Sequence, residues 1–457
     1  MKWTGTLLGT CLLLVTSLSH AAEMAPFADG DVVAVIGDSI THDGRWQRFI
    51  GDFYATRFPT RHITILNNGI GGDMVGGVLR RLDDDILAAH PNVAVVMLGM
   101  NDVGRTAYTE GGEQDPALIK IRAAALERYR TGMTALLPRL RDGGVKRIIL
   151  ITPSPYEDHA KLATANLPGA NDGLTACAAI VKELAAAAAA EVVDFHGPLT
   201  TLDRQQQERD PTFTLIGPDR VHPGSVGHLL MAHLFLTAQH VPPLVSRVEL
   251  DATAHSVSST PAALVSDCQW QPSGVTFTVL AQALPFPLNP DAEAARSLTS
   301  IDHDLNREEL CVHDLTAASY RLEIDDKVVG TWSAAELASG INLASNVNNP
   351  TNRQANAVIQ LTEQRRGAQQ ELRGVALVTW NWLAPAKVDR TDATAVSTAI
   401  NAYLAKYPIA FNRKLADTYA RAQPQQAAIR ANIEELSEKI RRAAEPRPHR
   451  YRLTAQP

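Results

Sequence analysis

Beyond its first two dozen positions the 457-residue chain has no apolar run long enough to cross a bilayer, which takes about 20 consecutive apolar residues. Positive charge is not in excess either: 43 Lys and Arg stand against 49 Asp and Glu, a formal net charge of −6. That argues against nucleic acid as a partner, because binding it needs a basic footprint. Cysteine is rare, four residues in all. Cys177 lies in an alanine-rich stretch and reads as a small buried apolar residue, whereas Cys268 and Cys311 share a downstream region and could pair in an oxidising compartment. No convincing internal repeat is present. What remains, 45% apolar and 20% charged, is the composition of an ordinary globular protein.

The N-terminus joins Lys2 to an apolar run from Leu7 to Leu18 and then to Ser19-His20-Ala21-Ala22. This is the pattern of a signal peptide over residues 1–22, cleaved after Ala21 or Ala22, and it predicts a secreted or periplasmic protein of net charge −7 once Lys2 is lost. The run is too short for a stable membrane anchor. Thr10 is a poor residue before a lipidated cysteine at Cys11.

At this length two domains are expected. Short apolar strands at Val32 to Ile36, Ile63 to Leu66, Val93 to Leu98, Arg147 to Thr152 and Glu191 to Asp194 alternate with helical patterns. The latter cover Arg45 to Phe58, Met74 to Ala89, Pro116 to Arg141, Leu174 to Ala190 and Ser225 to Ala238. Continuous apolar strands alternating with helices predict a parallel sheet covered on both faces, a three-layer α/β/α domain over 30–245. After Pro242-Pro243 period-two alternation in Gly274 to Ala281 and Ser319 to Val329 predicts antiparallel strands. Helical blocks follow at Thr391 to Tyr407 and Pro424 to Ala444. Residues 246–445 therefore read as a smaller mixed β/α accessory domain, and 446–457, rich in arginine, as a disordered tail.

In such sheets ligands bind beyond the carboxyl ends of the strands. Ser39 follows the first strand in Gly37-Asp38-Ser39-Ile40, and Asn101 follows the third in Gly99-Met100-Asn101-Asp102. A serine hydroxyl is a poor nucleophile until a histidine takes its proton and a carboxylate orients that histidine. Asp219 and His222, three apart before the last helix, supply both. Donors for a developing oxyanion would come from the glycine-rich loop Gly69-Ile70-Gly71-Gly72-Asp73 and from the Asn101 amide. Each residue taken singly has a simpler role: Ser39 as a helix cap, Asn101 as a turn residue, Gly72 as a positive-φ position, His222 as a surface histidine.

The four blocks in this order, Gly37-Asp38-Ser39-Ile40, Gly71-Gly72-Asp73, Gly99-Met100-Asn101-Asp102 and Asp219-Arg220-Val221-His222-Pro223, resemble the SGNH branch of the GDSL esterases and lipases over roughly residues 31–240. The resemblance implies a flavodoxin-like SGNH domain and a hydrolase with Ser39, His222 and Asp219 as its triad. It also implies an oxyanion hole built from the N–H of Ser39, the N–H of Gly72 and the Asn101 side chain. Ile40 stands where leucine is usual. Met100 stands where a smaller residue is common, which would narrow an acyl pocket.

The resulting expectation is a secreted esterase without cofactor, removing acyl, chiefly acetyl, groups from a carbohydrate or other alcohol. Export and the lack of an extended apolar lid segment favour a sugar over a long-chain lipid. A lipase or lysophospholipase is the alternative within the same chemistry, and a non-catalytic glycan-binding protein the alternative outside it. Metal binding by His222, His228 and His233 is disfavoured, since the last two are five apart on one helix with no glutamate between them. His42 reads as a rim residue, Arg80 and Arg81 as braces for nearby carboxylates, and Trp270, Trp332, Trp380 and Trp382 as core residues in preference to a sugar-stacking surface. Oligomeric state is not legible.

Overall fold

The computed structural model describes residues 24–457; the signal peptide expected over 1–22 lies outside the described residues. Five parallel strands, β1 (Val32–Gly37), β2 (Thr64–Gly69), β3 (Val93–Met97), β4 (Arg147–Ile151) and β5 (Glu191–Val193), form one sheet in the order β2-β1-β3-β4-β5. That is the flavodoxin-like order, whose switch point lies between β1 and β3. The inner strands β1, β3 and β4 are buried almost throughout because helices cover both faces, whereas the edge strands β2 and β5 are buried only toward their carboxyl ends. Between and after them run α1 (Ser39–Asp43), α2 (Arg45–Arg57), α3 (Val75–Arg81), α4 (Pro116–Asp142), α5 (Ala170–Ala188), α6 (His196–Gln207) and α7 (Ser225–Ala238). α2 packs on α7, and α4 on α3 and α5. The expected strands and most helices match. The expected Met74 to Ala89 helix is instead α3 continued by a π turn, Leu82–Ile86, and a 3-10 turn, Leu87–Ala89.

Downstream, a four-stranded sheet and a five-stranded sheet pack around Phe277, Leu310, Tyr320, Leu322 and Tyr451. The tail expected to be disordered is a correction. His449–Ala455 is the central strand of the five-stranded sheet, paired antiparallel with Ser319–Ile324 on one side and Gly274–Ala281 on the other. Its alternation of Tyr451 and Leu453, buried, with Arg450 and Arg452, outward, makes the arginines the solvent face of a strand rather than a sign of fraying. The Cys268–Cys311 pairing that the sequence leaves open is not formed. All three described cysteines are free, and the two belong to different sheets.

Two downstream segments join the first domain. Phe286, Leu288, Ala292, Ala295, Ile301 and Leu305 belong to the same apolar core as the parallel sheet, so that core is not closed at residue 245. A 28-residue helix, Pro350–Leu377, lies against α2 and β2 and continues as a π-helical turn, Val378–Leu383. Among the described residues no helix is long and apolar enough to cross a membrane.

Candidate active site

The site forms where β2, β1 and β3 end side by side. Ser39 opens α1 directly after β1. A Cβ on Gly37 would lie 2.2 Å from Thr41 Oγ1, so glycine alone lets the strand turn so tightly into the helix. The cap of α1 is Asp38, whose carboxylate accepts the Ile40 N–H at 3.0 Å. Ser39 is thus released from the capping role that its position suggested, and its hydroxyl faces His222 instead.

His222 Nε2 lies 2.8 Å from Ser39 Oγ, and His222 Nδ1 lies 2.5 Å from Asp219 Oδ2. The turn that presents them is built by Asp219 itself, whose Oδ1 accepts the backbone N–H groups of Val221 (3.0 Å) and His222 (2.9 Å). Desolvation alone would raise the Asp219 pKa. Its hydrogen bonds from the His222 backbone, the imidazole and the Val221 backbone outweigh that and hold the carboxyl below its ordinary range. Arg220, between them, adopts φ +67°, a left-handed conformation costly for a bulky residue. Its buried guanidinium offsets the strain by donating to the carbonyls of Glu157 (2.9 Å), Thr164 (2.9 Å) and Ala160 (3.2 Å). On the other side Arg45 donates to Ser225 Oγ (3.1 Å) and binds Asp43.

The glycine loop after β2 places Gly72 at φ +76° with open space around it. Its neighbour Gly71 donates its N–H to His42 Nδ1 at 3.2 Å. Burial, followed by the nearby Arg373 charge, pushes the His42 pKa down to about 4. It therefore stays a neutral acceptor near pH 7 and is a support of the loop rather than a rim residue. Asn101 donates through Nδ2 to the Asp73 carbonyl (3.0 Å) and accepts at Oδ1 from Arg105 (3.2 Å). Both bonds fix the orientation of the amide and leave its second N–H available. Arg105 was not singled out in the sequence, although its place four residues after Asn101 is a usable hint.

Beneath these groups three carboxyls are buried. Desolvation raises Asp38 to about 6 and Asp102 to about 7, and it raises Asp73 as well despite the Arg81 guanidinium 2.9 Å away. Arg81 does brace carboxylates, as expected. Met100 is 1% exposed and belongs to the apolar core, so it does not narrow an acyl pocket. His222, His228 and His233 face three different carboxylates, those of Asp219, Asp43 (3.6 Å) and Asp304 (3.0 Å). Trp382 is buried and stacked on Tyr403.

Residues 35–230 match the model of the GDSL-like Lipase/Acylhydrolase family. Among curated proteins the chain is similar to an acetylxylan esterase of Geobacillus stearothermophilus. The two are 26% identical over 226 residues, which cover 45% of this chain and 93% of the relative. Among solved structures, a gut microbial diltiazem-metabolizing enzyme is 28% identical with a TM-score of 0.89, covering 96% of this chain and 100% of that one. That likeness extends through the downstream half. The protein is a carboxylic ester hydrolase.

Proposed function

We propose that the protein is a serine esterase in which Ser39 is the nucleophile, His222 the general base and Asp219 the carboxylate that orients it. The observation that carries this reading is the continuous hydrogen-bonded line from Ser39 Oγ through both ring nitrogens of His222 to Asp219. An ionised Asp219 accepts from Nδ1, so the proton of the neutral ring sits there and the lone pair of Nε2 faces the serine. As Ser39 attacks the ester carbonyl, Nε2 takes the hydroxyl proton. The tetrahedral oxyanion is stabilised by the N–H groups of Ser39 and Gly72 and the free N–H of Asn101. His222 then gives its proton to the departing alcohol. An acyl-Ser39 remains, and water activated by the same histidine hydrolyses it.

The substrate we assign is an acetyl ester of a carbohydrate or other alcohol, acted on outside the cytoplasm after removal of the 1–22 leader. The similarity to an acetylxylan esterase supports this. So does the openness of the site, since the side chains of His222 and Asp219 are 47% and 53% exposed, which suits a bulky polar alcohol better than a buried acyl chain. Residues 30–245 supply the proposed catalytic groups, and the region after 246 is accessory to them.

A fluorophosphonate probe, followed by peptide mapping, tests the assignment. Modification should fall on Ser39 alone and disappear in His222→Ala. Labelling of another serine, or undiminished labelling without His222, would refute it. Comparing acetyl with octanoyl esters, and acetylated xylan with phospholipid, separates the esterase from a lipase.

A further inference from the structure

The glycine loop that carries Gly72 is not held by its own domain alone. We propose that Arg373 and Asn381, from the downstream helix and its π turn, are positioning residues for the oxyanion hole. This rests on the reading of Ser39, Gly72 and Asn101 given above.

A loop with three glycines in five residues has little conformational preference of its own, so external contacts must define where its N–H groups point. Asn381 Nδ2 donates to the Gly71 carbonyl at 3.3 Å, and Arg373 Nε donates to the Gly69 carbonyl at 3.1 Å. The Leu377 side chain closes on Gly71, where an added Cβ would sit 3.3 Å from it. Ile70, fully buried, is packed with Val375, Leu377, Val378 and Leu383 rather than with the core of the parallel sheet. Three successive loop residues are therefore gripped by one downstream segment.

The same guanidinium reaches the other proposed donor. Arg373 binds both oxygens of Asp85 at 2.8 Å, and Asp85 also pairs with Arg81. Arg81 Nε in turn holds Asp73 Oδ2 at 2.9 Å, and the Asp73 carbonyl receives Asn101 Nδ2. Hydrogen bonds, charge-assisted as far as the Asp73 carboxyl and continued from the Asp73 carbonyl to Asn101, thus run from the helix to both sides of the hole. Arg373 and Arg81 are buried. Asp85 stays ionised between them: burial alone would raise its pKa, but the Arg373 and Arg81 guanidiniums bring it down to about 2.

The test uses full-length protein. Asn381→Ala and Arg373→Lys should each lower kcat for 4-nitrophenyl acetate by roughly ten- to a hundredfold with KM changed less than about twofold, since small misplacements of oxyanion donors act on turnover. Gln369→Ala is the control. It removes another hydrogen bond of the same helix to the first domain, from Gln369 Nε2 to the Ile65 carbonyl at 3.1 Å, away from the loop. It should keep wild-type kcat, and thermal melts show that all three variants fold. Wild-type kcat in Asn381→Ala and Arg373→Lys, or a loss in Gln369→Ala as large as theirs, would overturn the proposal while an inactive Ser39→Ala leaves the serine mechanism standing. Full activity in Ser39→Ala would remove that mechanism instead.

Discussion

Cutting the chain at residue 245 keeps every group proposed to do chemistry, yet the fragment 24–245 should not fold into an active enzyme. Phe286, Leu288, Ile301 and Leu305 would be lost from the core around the parallel sheet, where each is at most 8% exposed. At about 1.5–3 kcal/mol for each large buried side chain, their removal costs roughly 6–12 kcal/mol, which is comparable to the whole stability of a typical domain. Polar partners go as well. Arg57, buried on α2, donates to the Leu305 carbonyl at 2.8 Å, and the Leu284 N–H donates to the Thr56 carbonyl at 2.9 Å. The assay is urea unfolding followed by circular dichroism, run beside hydrolysis of 4-nitrophenyl acetate. The fragment should be aggregated or lack a cooperative transition. A monomeric fragment that unfolds cooperatively and retains full-length kcat would refute this reasoning and make the first domain autonomous.

Replacing Asn101 by alanine should lower kcat about a hundredfold or more with little change in KM, the usual cost of one oxyanion donor; a rise in KM alone would make it a ground-state contact. Asp219→Asn should lower kcat by several orders of magnitude, since the amide no longer selects the ring tautomer with its lone pair toward Ser39, and steady-state kinetics with full activity would point to another carboxylate. Glu308 is buried against Asn349 and Thr351, and desolvation raises its pKa from 4.5 to about 7. The folded state therefore keeps a proton that the unfolded chain gives up, so this residue's contribution to stability falls as pH rises from about 4.5 to 7, by roughly 3 kcal/mol. Chemical unfolding should show that Glu308→Gln loses less stability than wild type across that window; parallel curves would contradict the assignment.

The first domain was largely legible because its strands are continuous apolar runs, such as Val93 to Met97, that only a doubly covered sheet accommodates. Ser39, Asn101, Asp219 and His222 stood out because each occupies a strand end or a helix entry; hydrogen bonds join Ser39 to His222 and His222 to Asp219. The long helix Pro350–Leu377 escaped notice for a physical reason: part of its buried face is polar, with Thr351, Asn352, Thr362 and Arg373, so no apolar stripe marks it. The strand His449–Ala455 was obscured in the same way by its outward arginines. Arg220 acts through hydrogen bonds to backbone carbonyls of Glu157, Ala160 and Thr164, brought from elsewhere in the fold, a relation that spacing along the chain does not encode.

The central claim is that Ser39 attacks the ester. Its most direct test is the turnover of 4-nitrophenyl acetate by Ser39→Ala, in protein whose circular dichroism and melting match wild type. The account predicts a loss on the order of a million-fold, as for removal of a serine nucleophile from a comparable triad. Activity near that of wild type in the purified, folded variant would contradict it.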